Sequence, residues 1–379
     1  MEWKEVDICQ LCDSVSETYK GNASEVVLIN TSDVLDGKCL NHEYVPNKKL
    51  KGQFKKTFRK GDILYSEIRP ANKRFCFVDF EPKDYIASTK LMVLRAHEDV
   101  DPQYLYQILR SNDTLAQLQM LAESRSGTFP QITYSELSDI MVSLPSQKAQ
   151  KNIVSILSSL DRKIELNNKI NADLEEMAQA IFKNWFVDFE PFKDGKFVDS
   201  ELGMIPEGWK VGCLGDIAEI TSGKRPPKKS KDKTKELFIP LICASDIMGF
   251  TSDVLYERPI LVIGRVGTHG VVQRFQEKCW PSDNTLVVES SYYNYVYQLL
   301  KGIDYSAINR GSTQPLITQT DVKNTDVIIA PENVLKEYES ITSTLFSKHR
   351  ANIKESSRLS LLRDTLLPRL MSGEIEVPE

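Results

Sequence analysis

Apolar positions follow two rhythms along this chain of 379 residues. Short runs such as Ile63-Leu64-Tyr65, Leu91-Met92-Val93-Leu94 and Ile140-Met141-Val142 read as strands. Asp101-Pro102 opens a helix toward Leu121, with Asp as N-cap and Pro at the first helical position. The same succession returns with Leu261-Val262-Ile263, Leu286-Val287-Val288 and a helix carrying Tyr295 to Leu300. The expectation is an α/β (α+β) globular domain, used twice.

After Pro145 the rhythm changes. Ile153, Leu157, Leu160, Ile164, Asn167, Asn171, Leu174, Ala178, Ile181 and Trp185 are spaced by alternating fours and threes, a heptad seam. Neither Gly nor Pro interrupts it between Ser146 and Trp185. About 40 residues at ~1.5 Å rise give a helix of roughly 60 Å, too long for a single small domain to bury. A second, less regular seam lies 185 residues on, through Leu345, Asn352, Leu359 and Leu366, with His349 and Ser356 on it and Pro368 in its last turn. Two related helices, each following a related globular region, close their seams by lying antiparallel as a coiled coil.

The middle of that seam is polar. Asn167 and Asn171 would meet Asn352, His349 or Ser356. Buried Asn at a core position lowers stability but specifies register, because an unpaired amide is costly. The alternative is that these amides face water at a hinge. The division that follows is 1–145 globular, 146–200 helix and linker, 201–331 globular, and 332–379 helix.

The duplication extends beyond pattern to residues. Tyr104-Leu105-Tyr106-Gln107-Ile108-Leu109 returns as Tyr295-Val296-Tyr297-Gln298-Leu299-Leu300, displaced by 191. Trp3-Lys4 answers Trp209-Lys210, and Ser32-Asp33 answers Ser245-Asp246. Gly127-Thr128 with Pro130-Gln131-Ile132-Thr133 answers Gly311-Ser312 with Pro315-Leu316-Ile317-Thr318. Two such units are too few and too long for a solenoid. They imply one chain imitating a dimer about a pseudo-two-fold axis, with two related sites.

Composition narrows the class. Hydrophobic content of 41% and charged content of 27% are those of a soluble globular protein. No apolar run reaches the ~18 residues of a membrane span, and the N-terminus lacks the basic and apolar regions of a signal peptide. Seven scattered cysteines do not make a disulfide framework, so a reducing cytoplasm is expected. The net charge of −5 hides two basic stretches. Lys48, Lys49, Lys51, Lys55, Lys56, Arg59 and Lys60 contain no acid among them. Lys224, Arg225, Lys228, Lys229, Lys231, Lys233 and Lys235 are broken only by Asp232. One in each half favours phosphate contact over a merely solvated loop, although they are not at equivalent repeat positions.

Catalytic constellations are weak. Cys9-x-x-Cys12 with Cys39-x-x-His42 has the outline of a zinc site, but Cys9 and Cys12 fall on Gly215 and Ala218 in the repeat, so no metal is expected. Asp62 with Glu81-x-Lys83 is a loose nuclease-like spacing that chance supplies readily. Gly264, Gly267 and Gly270 lack the context of a dinucleotide loop. The methyltransferase signature is absent, since the one Pro-Pro is Pro226-Pro227 after Arg225, and four histidines find no nucleophile. No catalytic residue is assigned.

The order of parts resembles a known family. A globular domain leads to Leu160-Asp161-Arg162-Lys163-Ile164-Glu165-Leu166-Asn167 and a helix ending in Met177-Ala178-Gln179-Ala180-Ile181-Phe182-Lys183-Asn184-Trp185-Phe186. Then come Pro206-Glu207-Gly208-Trp209-Lys210, a second globular domain, and Leu370-Met371-Ser372-Gly373-Glu374. Over essentially its whole length the chain is similar to the specificity (S) subunit of type I restriction-modification systems. That resemblance implies two target-recognition domains, each reading one half of a bipartite, asymmetric DNA site. It implies helices that act as spacers, set the gap and dock two methyltransferase (M) subunits, and through them the restriction (R) subunits. It also implies that S-adenosylmethionine, ATP and Mg belong to those partners and none to this chain. In such a reading Lys48, Lys49, Lys55, Lys56, Lys224, Arg225, Lys228 and Lys229 neutralise phosphates. Base edges would be read by Arg69, Arg74, Arg125 and Gln131 in the first half, and by Arg265, Arg310, Thr313 and Gln314 in the second. A stand-alone nuclease and a protein-binding scaffold are the alternatives.

Overall fold

A computed structural model describes residues 3–48, 52–124, 130–267, 270–311 and 316–377. The chain packs as two compact units, residues 1–166 with 354–379, and residues 167–353. The four consecutive segments read from the sequence are therefore not the packing units. The division falls inside both long helices, and each unit takes part of each.

In the first unit, strands β1 (Lys4–Asp7), β2 (Cys12–Val15), β3 (Glu25–Ile29), β4 (Val45–Pro46), β5 (Phe54–Lys56), β6 (Ile63–Ser66), β7 (Phe75–Phe77), β8 (Tyr85–Ser88) and β9 (Leu91–Ala96) precede helices α1 (Pro102–Arg110) and α2 (Asn112–Ser124). Strand β10 (Met141–Leu144) then leads into α3 (Gln147–Phe186). Four strands order as β2-β9-β6-β7, all antiparallel. A second sheet orders as β4-β3-β8-β5, and β1 pairs with β10. The first sheet is covered on both faces. Ile63, Tyr65, Met92 and Leu94 point into a core with Tyr104, Leu105, Leu118, Ile153 and Leu157. Their neighbours Leu64, Leu91 and Val93 point into a second core with Val27, Ile29 and Ala87. This double coverage is why β6 and β9 read as continuous apolar runs rather than alternating ones.

The single helix expected from Asp101 toward Leu121 is two. Asp101 Oδ1 caps α1 by accepting from the amides of Gln103 and Tyr104 at 2.9 and 3.2 Å. Ser111 then turns extended, with ψ 147. Its Oγ accepts from Thr114 N at 3.2 Å and donates to Thr114 Oγ1 at 2.9 Å, so it caps α2.

The second unit repeats the plan with β11 (Lys210–Cys213), β12 (Glu219–Ser222), β13 (Ile239–Ile242), β14 (Ile247–Thr251), β15 (Ile260–Gly264), β16 (Val272–Phe275), β17 (Trp280–Pro281), β18 (Thr285–Glu289), α4 (Tyr293–Gly302), β19 (Asp326–Ile329) and α5 (Glu332–Met371). Its main sheet orders as β12-β18-β15-β16, position for position the order of the first unit. Its second sheet is β14-β13-β17, and β11 pairs with β19 as β1 does with β10. Leu261, Ile263, Leu286 and Val288 face the helices, while Ile260, Val262 and Val287 face the second sheet.

Each unit contains an antiparallel stretch of the long helices. In the first, Asp161 accepts from Arg363 at 2.7 Å and Lys163 pairs with Glu355 at 3.1 Å, so partners descend as α3 advances. In the second, Asn171 meets Asn352 at 2.9 Å, Glu175 lies 3.9 Å from His349, and Phe186 meets the Tyr338 ring at 5.0 Å. The expected seam positions Leu160, Ile164, Leu174, Ile181, Leu345, Leu359 and Leu366 are all half-buried, and Asn167, Asn171 and Asn352 are buried outright. The end of α5 completes the first unit's core, where Leu367, Leu370 and Val377 join Ile8 and Tyr104. Gly373 turns left-handed there, at φ 75, and a Cβ on it would sit 2.5 Å from the Trp3 indole nitrogen. That close approach is the physical content of the Leu-Met-Ser-Gly-Glu ending.

Candidate nucleic-acid interface

The second basic stretch is held open by the fold. Trp280 Nε1 donates to the Lys224 carbonyl at 2.7 Å, fixing its start. Ser230 then exchanges both backbone hydrogen bonds with Phe250, at 2.9 and 2.8 Å, which joins the stretch to β14 at that one point. Gly249 makes this possible: at φ 156, a Cβ there would lie 2.3 Å from the Ser230 carbonyl. Lys224, Arg225, Lys228, Lys229, Lys231, Lys233 and Lys235 are all exposed, and none is ion-paired among the described residues. Seven cations in one stretch, with only Asp232 among them, make a local positive field that the overall charge of −5 conceals.

The first stretch is less free. Lys48 and Lys55 are exposed, while Lys49 lies outside the described residues. Lys60 lies 4.0 Å from Glu81, and Arg59 4.0 Å from Asp62. Lys56 departs from the phosphate-contact expectation: its ammonium is half-buried and donates to the Leu91 carbonyl at 2.8 Å, and burial lowers its pKa. Its role is to tie β5 to the start of β9.

The proposed base readers also divide. Arg69 is exposed, in a left-handed turn at φ 48, beside the Ile68–Gln131 bridge that carries exposed Gln131. Arg74, by contrast, is spent inside the unit, its Nη1 donating to the carbonyls of Ser32 and Val34 at 3.0 and 3.4 Å. Arg265 is half-buried, with Nε unpartnered among the described residues, in the same kind of bridge between Val266 and Leu316. Arg310 is exposed but its guanidinium is paired with Asp321. Arg125, Thr313 and Gln314 lie outside the described residues. The structure thus brings Arg69 and Gln131 together in one unit and sets Arg265 at the matching bridge of the other.

Several side chains of the rejected catalytic patterns are engaged elsewhere. Asp62, 1% exposed, accepts twice from Arg95 at 2.8 Å and once from Arg59 N, which makes it a buried ion-pair residue. Burial pushes the Cys12 thiol up to about 12. His42 Nδ1 meets Tyr85 OH at 2.9 Å. Among the described residues no group of three or more His, Cys, Asp or Glu is placed to hold a metal.

Sequence reading missed Phe238, Ile247 and Met248, which stand exposed on the β13–β14 hairpin.

The chain is built from two α/β units whose main sheets share one strand order. A family model described as Type I restriction modification DNA specificity domain matches residues 2–176 and 206–355, and the chain belongs to that family. It is 31% identical to the HindI specificity subunit of Haemophilus influenzae, with 99% of this chain and 100% of that one covered. It is 29% identical to the MjaIX specificity subunit of Methanocaldococcus jannaschii, over 89% and 85%. A solved structure of the type I system S subunit from M. genitalium superposes with a TM-score of 0.60 at 16% identity, over 100% of this chain and 97% of that one, and so shares the fold. Specificity subunits are the non-catalytic members of restriction-modification systems. No described helix is long and apolar enough to cross a membrane.

Proposed function

We propose that this chain supplies DNA sequence recognition to a type I restriction-modification complex, each α/β unit reading one half of a bipartite, asymmetric site. The observation that carries this is the identical strand order, β2-β9-β6-β7 and β12-β18-β15-β16, each sheet followed by a 40-residue helix. The two helices act as an antiparallel coiled-coil spacer about a pseudo-two-fold axis, and the buried Asn171–Asn352 pair pins its register. On this reading the spacer docks two methyltransferase subunits and, through them, the restriction subunits. S-adenosylmethionine, ATP and Mg are held by those partners in the cytoplasm, and methylation proceeds there by base flipping.

Recognition has two parts. Lys48, Lys55, Lys224, Arg225, Lys228 and Lys229 neutralise phosphates and position the units. Arg69 and Gln131 in one unit, and Arg265 in the other, reach base edges, each good bidentate pair discriminating by ~1–3 kcal/mol. Arg125, Thr313 and Gln314 remain in the proposed set.

The test is a gel shift of the chain assembled with its methyltransferase subunits on one bipartite duplex. Adding or deleting a single base in the non-specific gap abolishes binding if the helices are a rigid spacer. Equal binding at every gap length overturns the assignment.

A further inference from the structure

The β13–β14 hairpin carries buried and exposed apolar positions side by side. Ile239, Leu241, Gly249 and Thr251 point inward and are buried. Pro240 pairs with Phe250 and both are half-buried, Phe238 lies one residue before β13, and Met248 sits at the register break beside Leu241. Phe238 is 49% exposed and Met248 45%, with Ile247 at 44% beside them. Three large apolar side chains left exposed on one hairpin are a cost in water unless something covers them.

The basic stretch identifies the cover. It is hydrogen-bonded to this hairpin through Ser230 and Phe250, so unpaired cations border these apolar side chains. A second copy of the same surface would bring seven like charges against seven. Duplex DNA satisfies both features. Its phosphates take the cations, and a two-stranded β-ribbon fits the major groove. The apolar group exposed on base edges in that groove is the thymine C5 methyl.

We propose that the exposed apolar side chains of the β13–β14 hairpin, Phe238, Ile247 and Met248, read thymine methyl groups in the half-site of the second unit. This rests on the DNA-recognition reading above and deepens it.

The experiment uses the full chain assembled with its methyltransferase subunits. The bound site is first defined by selection from random duplexes. Each thymine is then replaced in turn by deoxyuridine, which removes the methyl and leaves pairing intact. At least one replacement in one half-site weakens binding about fivefold or more, on the scale of a single lost base contact. Phe238→Ala and Met248→Ala weaken binding to the thymine site by a similar factor and bind the uracil site no more weakly, with an unchanged salt slope. Met248→Leu restores the discrimination. Lys229→Ala combined with Lys231→Ala weakens all sequences alike and makes the salt slope shallower.

Unfolding midpoints equal to wild type certify the variants, whose substituted side chains are exposed. If the alanine variants keep the full uracil sensitivity, the hairpin does not read thymine and the inference falls. It falls equally if the wild type binds anionic phosphatidylserine vesicles through this face with no thymine dependence. A wild-type complex that selects no duplex at all would instead sink the function proposed above.

Discussion

Asn171 Oδ1 accepts a hydrogen bond from Asn352 Nδ2 at 2.9 Å, with both side chains buried between helices. Asn352 Oδ1 has no partner among the described residues, so the pair is only half satisfied. Such an arrangement serves specificity better than stability. Asn171→Leu alone leaves the Asn352 amide unpaired and should lower stability by about 1–3 kcal/mol. Asn171→Leu with Asn352→Leu should recover that loss, yet admit gap lengths the parent rejects. Urea midpoints and gel shifts over a series of gaps read the two effects. An unchanged gap preference in the double variant removes the register role.

Asp62 and Arg95 form the most enclosed ion pair of the first unit, with side chains 1% and 19% exposed. Glu17 joins Arg95 at 3.0 Å from the surface side. Arg95→Ala strands a buried carboxylate, which costs about 3–5 kcal/mol. The double variant Asp62→Leu with Arg95→Met should be far closer to the parent. Thermal unfolding decides it, and additive losses would mean the pair is not coupled.

Gly373→Ala meets two obstacles, a left-handed φ of 75 and the Trp3 ring. The strain alone is worth about 1–2 kcal/mol, and the clash adds to it. The expected outcome is a lower melting temperature together with changed Trp fluorescence, because Trp3 has to move. A variant with parental fluorescence would place Trp3 elsewhere.

His349 gives a pH dependence. Burial is the main cause holding its imidazole below the ordinary range, the Arg274 charge adds to the depression, and Glu175 at 3.9 Å opposes it. The unfolded chain therefore takes up a proton near about pH 6.5, where the folded chain still resists. Stability from this group is fully present above that value and is lost as pH falls through the lower folded value. His349→Gln should flatten the decline in urea midpoint between neutral pH and about two units below. A decline as steep as the parent's would assign the effect to other groups.

Periodicity was enough to place β6, β9, β15, β18, α4 and both long helices, because burial on fixed faces imposes a period on side chains. It failed at Ser111, where a local hydroxyl cap outweighs an unbroken helical pattern. Nothing in the sequence around Tyr293 discloses how α4 begins. Glu339, 45 residues away on α5, accepts from the amides of Asn294 and Tyr295 at 2.8 Å each and supplies the cap. Candidate residues were legible by type but not by commitment. Lys229 and Arg74 look equally free in a string of letters, and only packing shows that Arg74 is bound to the Ser32 carbonyl. Phe238 and Met248 escaped because an apolar residue carries no mark saying which face it will occupy.

The core shared by Ile8, Tyr104, Leu367 and Val377 has a consequence for synthesis. The first unit begins to emerge from the ribosome early but waits for residues made more than 200 positions later before its core is complete. Until then the nascent chain displays apolar surface that aggregates or recruits chaperones. Premature stops that leave every earlier element intact would thus yield insoluble product rather than a half-working reader.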